Sequence, residues 1–264
     1  MFKYIFSYLF ILLSCGFIQA QEMTIVDAID KASHQRMLTQ KMLNCYLRLG
    51  SGVETAIAKD EMDSSVAQFE EYMIELLDFT PNEEVEAAIE KAQASWRVYS
   101  LKLLSQPNKI MGTVLFRMSG KVVKEYNGLL DLLVEQAQTE KARLVNLSGK
   151  QAMLSQRMEM LYLSLYWGLP SKAINDEFEN VNEELADGLS TLLATEINTP
   201  QIKKELGETA ENWEFVQKKF SDTNKPSLIT DATKAMLIQL NNITKQYAKL
   251  AVDDDLGSAD NVGN

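Results

Sequence analysis

Two stripes of helical spacing could hold a small anion. One runs Asn146, Gly149, Met153 and Arg157; the other runs Asp30, Ser33, Met37 and Lys41. Steps of three and four put each set on one face of a helix. Gly149 and Ser33 remove bulk, so another helix or a small ligand can come close. Arg157 or Lys41 supplies the cation, and Asn146 a neutral donor. A small residue, a cation and an amide on one face make an anion pocket, and the planar fork of an arginine gives an oxyanion paired hydrogen bonds. A solvated arginine on a bundle surface meets the same spacing. Gln35 and Gln151 lie in line with two apolar seams, Leu38, Met42, Cys45, Leu49 and Leu154, Met158, Leu161, Leu165. An amide there either fixes helix register or contacts a ligand, because leaving it unpaired costs about 1–3 kcal/mol.

These residues belong to a repeat. His34-Gln35-Arg36-Met37-Leu38-Thr39-Gln40-Lys41-Met42 recurs as Lys150-Gln151-Ala152-Met153-Leu154-Ser155-Gln156-Arg157-Met158, 116 residues later. Tyr46-Leu47 recurs as Tyr162-Leu163, Trp96 as Trp213, and Lys124-Glu125-Tyr126 as Lys245-Gln246-Tyr247. The offset drifts only slowly, as a few inserted loop residues would make it. A unit of about 115 residues is domain-sized, not a solenoid repeat. The chain therefore reads as a tandem duplication.

Other chemistry is sparse. His34 is the only histidine, which excludes a histidine-based zinc or copper cluster, and it reads as a surface or bundle-edge residue. Cys45 sits on an apolar stripe and reads as a small buried hydrophobe, with a redox role as the alternative. Met37, Met42, Met153 and Met158 fall at packing spacing, although methionines can also bind soft metals. Asp253-Asp254-Asp255 lacks the loop geometry of a calcium site. No phosphate-binding glycine loop or nucleophile–base arrangement is visible. The expectation is a non-enzyme without metal or cofactor. A net charge of −11 argues against nucleic acid and anionic lipid, but not against a local anion site.

Met1-Phe2-Lys3, an apolar run over 4–14 and Ala20 together read as a signal peptide, residues 1–20, cleaved after Ala20. Leu12-Leu13-Ser14-Cys15 as a lipoprotein signal is the alternative. Either predicts a periplasmic or secreted protein. No later apolar run is long enough to cross a membrane, so a signal would have to pass through a separate membrane partner.

Spacings of three and four throughout predict an all-α protein. Helices are expected over 24–49, 53–79, 83–105, 171–195, 200–220 and 226–252. The segment 109–168 contains no proline and reads as one helix of roughly 60 residues, about 90 Å long, with a break near Gly128 or Gln138-Thr139 as the alternative. Each repeat then supplies four helices. The fold expected is two tandem antiparallel four-helix bundles, over 21–138 and 139–252, sharing one long central helix and enclosing two modest cores. The acidic tail 253–264 is expected to be disordered.

The run Val145-Asn146-Leu147-Ser148-Gly149-Lys150-Gln151-Ala152-Met153-Leu154-Ser155-Gln156-Arg157-Met158, with Tyr162-Leu163 after it, resembles the signature of the PilJ-type sensory domain of type IV pilus methyl-accepting chemotaxis transducers. It is similar also to the first-helix box of NarX-type nitrate/nitrite sensor kinases. The resemblance spans 24–252 and is strong in the two motif helices. It implies an extracytoplasmic helical bundle. In the nitrate sensors, basic residues of the box bind the anion where the first helices of two subunits meet. The matching positions are Arg36 and Lys41 in the first copy, Ala152 and Arg157 in the second. Neither copy is intact: Ala152 loses one arginine, and Lys41, Asp30 and Ser33 stand for Arg, Asn and Gly. A shared site in a homodimer, or a different ligand, would fit such divided copies. The function expected is a sensory or ligand-binding module for a small oxyanion such as nitrate or nitrite. The alternative is a structural protein of a pilus or envelope complex.

Overall fold

Caps and breakers divide the chain into eight helices. The computed structural model describes residues 23–79, 81–222 and 224–260. Its helices are α1 (Ile25–Ser51), α2 (Thr55–Asp78), α3 (Glu83–Leu103), α4 (Lys109–Ala137), α5 (Glu140–Tyr166), α6 (Ser171–Ala194), α7 (Pro200–Lys219) and α8 (Pro226–Asp260). The fold is all-α, with no strand among the described residues. None of these helices is long and apolar enough to cross a membrane. The signal-peptide reading, with its cleavage at Ala20 or lipidation at Cys15, lies outside the described residues, as do 261–264.

Local chemistry explains the boundaries. Thr24 and Asp27 cap α1 reciprocally: Thr24 Oγ1 accepts from the Asp27 amide at 3.1 Å, and the Thr24 amide donates to Asp27 Oδ2 at 3.0 Å. Gly52 ends the helix at φ 79°, a left-handed conformation that a side chain would resist. Asn82 and Asn108 cap α3 and α4, each accepting from an amide three residues on at 2.9 Å.

Two expectations change here. The 109–168 segment is not one helix. Gln138 turns left-handed at φ 52°, and its amide donates to the Val134 carbonyl. Thr139 Oγ1 then caps α5 by accepting from the Ala142 amide at 3.1 Å. A threonine cap behind a single left-handed residue stops one helix and starts the next without glycine or proline. The tail also differs, since α8 continues to Asp260. Once a helix is nucleated, each further residue adds to it at little cost, and no proline interrupts 253–260.

Within the first repeat, α1 packs on α2 and α4, and α3 on α4; in the second, α5 packs on α6 and α8, and α7 on α8. The largest contact between the repeats joins α1 to α5. These two motif helices run parallel and in register. Ser33 meets Gly149, Asn44 meets Glu159, and Gly50 meets Trp167, each pair close to the repeat offset. One continuous hydrophobic cluster runs through all eight helices, in place of the two cores expected. Both motif helices are consequently buried almost all round: every residue from Ala32 to Gln40, and from Gln151 to Gln156, is buried.

The remaining repeated residues are structural. Tyr46 Oη accepts from the Asn108 amide at 3.1 Å, and Tyr162 Oη accepts from the Lys225 amide at 3.3 Å. Each pins the loop before the last helix of its own repeat. Stacked aromatic pairs, Phe69 on Trp96 and Phe178 on Phe220, close the two outer layers.

Candidate functional site

The α1–α5 seam places the sequence candidates in several separate environments. Arg36, Asn146 and Gly149 come together. Arg36 is only 2% exposed. It donates through Nη1 to Asn127 Oδ1 at 2.9 Å, and through Nη2 to Asn146 O at 3.1 Å and Oδ1 at 3.2 Å. A Cβ on Gly149 would lie 2.7 Å from Ser33 Cβ. The missing bulk therefore admits the partner motif helix. Burial pushes the Arg36 guanidinium down to about 10, still cationic at neutral pH, with Asp131 and Glu184 supplying the opposing field. Its recorded acceptors are neutral amides and a carbonyl, so this arginine ties α1, α4 and α5 together. The sequence reading missed Asn127, which lies on α4 outside the repeated motif.

The other candidates are dispersed. Arg157 Nε pairs with Glu177 Oε1 at 2.7 Å. Gln35 Nε2 donates to the Phe69 carbonyl at 3.1 Å, while its Oε1 has no partner. Gln151 is fully buried against Gly188, and neither of its amide atoms has a partner. His34, expected near the surface, is buried edge-on to Tyr72, with Nδ1 3.0 Å from the Asp30 carbonyl. It is covered because α1 has neighbours on every side. Burial pushes its imidazole down, but the Asp30 carboxylate outweighs this and leaves it raised. Cys45 is buried, and burial pushes its thiol up to about 12, where thiolate chemistry is suppressed.

Lys41 leads to a feature the sequence did not disclose. It lines a cavity of about 180 Å3 between α1, α2, α5 and α8. Asn44, Arg48, Glu61, Glu159, Thr230 and Lys234 also face it. Arg48 Nη1 donates to Glu61 Oε2 at 2.5 Å, and Nη2 to Glu54 Oε2 at 2.7 Å. Lys234 Nζ reaches Glu61 Oε1 at 3.2 Å. Burial pushes the Glu61 carboxyl up, but Arg48 and Lys234 hold it below the ordinary glutamate value. Asn44 Nδ2 bridges the repeats, donating to Gln156 O at 3.0 Å and Glu159 Oε2 at 3.2 Å. Thr233 Oγ1 donates to the same carboxyl oxygen at 3.0 Å. Burial pushes Glu159 up to about 7, against the pull of Arg48 and of the bonds from Thr233 and Thr230.

No family model, curated protein or solved structure matches this chain. The cavity must therefore be read from its own chemistry. Among the described residues no cluster of three or more metal-ligating side chains occurs. A second cavity, of about 390 Å3, lies near the starts of α1 and α5 and is lined mainly by Ile25, Val26, Ala137, Ile197 and Ala251.

A difference between the copies would have pointed to the polar cavity. Leu43, Asn44 and Arg48 correspond at the 116-residue offset to Glu159, Met160 and Ser164. The two repeats agree in their packing residues and disagree where the cavity lies.

Proposed function

We propose that the chain is a non-enzymatic sensory or ligand-binding module of periplasmic or secreted location. It is built as two tandem antiparallel four-helix bundles fused along their first helices, and it acts through a separate membrane partner. The observation that carries this reading is the polar interior of the α1–α5 seam. Arg36, Asn44, Arg48 and Glu159 are all buried there, and several of their polar atoms have no protein partner. A bundle that served only as a spacer would be more stable with apolar residues at these positions. A ligand that exchanges hydrogen bonds with the seam would bias the relative position of α1 and α5, and shifts of about 1–2 Å between packed helices are an established form of output. The partly retained PilJ-type and NarX-type motif supports an oxyanion such as nitrate or nitrite as the first candidate.

Calorimetry and thermal shift against nitrate, nitrite and related anions test this, with Arg36→Ala and Arg157→Ala as controls. Saturable heat that either variant removes supports the oxyanion version; no heat with any anion removes it.

The second reading, a structural protein of a pilus or envelope complex, draws on one surface feature. Val98, Leu101 and Leu104 recur at spacing three along the end of α3, and Ile110 follows at the start of α4; all four are exposed. Pull-down with charged replacements at Leu101 and Ile110 distinguishes it, since those changes leave the seam untouched.

A further inference from the structure

Two residues that line the cavity between α1, α2, α5 and α8 carry a buried polar atom without a hydrogen-bond partner: Asn44 Oδ1 and Arg48 Nε. These residues are 2% and 3% exposed. Buried polar groups left without partners cost stability, and such groups gathered around a void mark a place for something else to bond. The space, about 180 Å3, is far larger than one water molecule needs.

The orphaned atoms define complementary needs. Asn44 Oδ1 accepts and so requires a donor. Arg48 Nε–H donates and so requires an acceptor. The surrounding charge is mixed in the same sense. Lys41, Arg48 and Lys234 are cationic, while Glu61 and Glu159 are carboxyls. A bare oxyanion would satisfy Arg48 Nε but leave Asn44 Oδ1 without a donor. A bare amine would do the reverse. The equivalent residues of the other copy are Met160, Leu161 and Ser164 for Asn44, Cys45 and Arg48, and Leu43 for Glu159. Packing of the fold does not require the polar set.

We infer that this cavity binds a compact α-amino carboxylate, with the carboxylate toward Arg48 and Lys41 and the ammonium group toward Asn44 Oδ1 and Glu159. This rests on the reading of the chain as a ligand-binding module and places the ligand away from Arg36.

Calorimetry on the full chain with glycine, L-alanine, acetate, methylammonium and nitrate tests it. Glycine or L-alanine should bind saturably, with acetate and methylammonium at least about tenfold weaker, since each leaves one buried group unpaired. Lys41→Gln, which removes a cation from the carboxylate end, should weaken amino-acid binding about tenfold and leave the melting temperature without ligand unchanged. Asn44→Met, the residue of the other copy, should abolish binding. No heat with glycine or L-alanine at millimolar concentration overturns the site. So does a Lys41→Gln protein that binds L-alanine unchanged. Nitrate binding removed by Arg36→Ala, with no heat from glycine or L-alanine, would uphold the ligand-binding reading and overturn this site.

Discussion

Arg36 carries a full charge into the interior and is held there by amide oxygens from two other helices. Removing it strands Asn127 and Asn146 and leaves a gap. Arg36→Ala should lower stability by about 2–4 kcal/mol, measured by urea unfolding. Arg36→Lys should recover little, since one ammonium cannot reproduce a fork that reaches α4 and α5 together. Glu159 sets a pH dependence. Its carboxyl titrates at about 7 in the fold against an ordinary value of 4.5. Between those limits the folded chain keeps a proton that the unfolded chain has lost. Stability from this group is therefore full at the acid end and declines as pH rises through the window, by a total on the order of 3 kcal/mol. Glu159→Gln should flatten that part of the stability–pH curve, and an unchanged slope would show that Glu159 does not titrate there.

The contact between α1 and α5 depends on small residues at one level. Gly149→Ala drives a methyl into Ser33 Cβ at 2.7 Å, and overpacking of this kind costs about 1–3 kcal/mol. Ser33→Gly in the same protein should restore most of the loss. Gly128→Ala serves as the opposite case: nothing lies within 4 Å of its added Cβ, so better helix propensity should raise stability by about 0.5–1 kcal/mol. Thermal melts of the variants check both signs. Periodicity and caps made most elements legible: Thr24, Gly52, Asn82 and Pro200 mark ends that the structure keeps. The break at Gln138 was harder to read, because its left-handed residue is not glycine and its cap is an ordinary threonine. The site was less legible than the helices. Asn146 and Gly149 do come together, but with Arg36, which lies on neither stripe, and not with Arg157 or Lys41. Glu159 and Arg48 lie 111 residues apart in sequence, and only the packing of one motif helix on the other brings them to one cavity.

The molecule has a single core, and the two motif helices sit inside it. It should unfold in one transition by circular dichroism and by tryptophan fluorescence alike. A fragment of residues 139–264 should not fold alone, since α5 would expose the face that α1 covers; mixing it with 23–138 should restore helix content. Separate, non-coincident transitions would contradict this. The parallel pairing of α1 and α5 has a further consequence. When two identical chains meet across a two-fold axis, every change on one side appears on the other, so a lone glutamate facing a lone leucine is forbidden by symmetry. Covalent linkage lifts that constraint. It also frees the seam from mass action, since the partner helix is present at any dilution. Glu159 opposite Leu43's position, and Asn44 opposite Met160's, are differences that only a pair joined in one chain can accumulate.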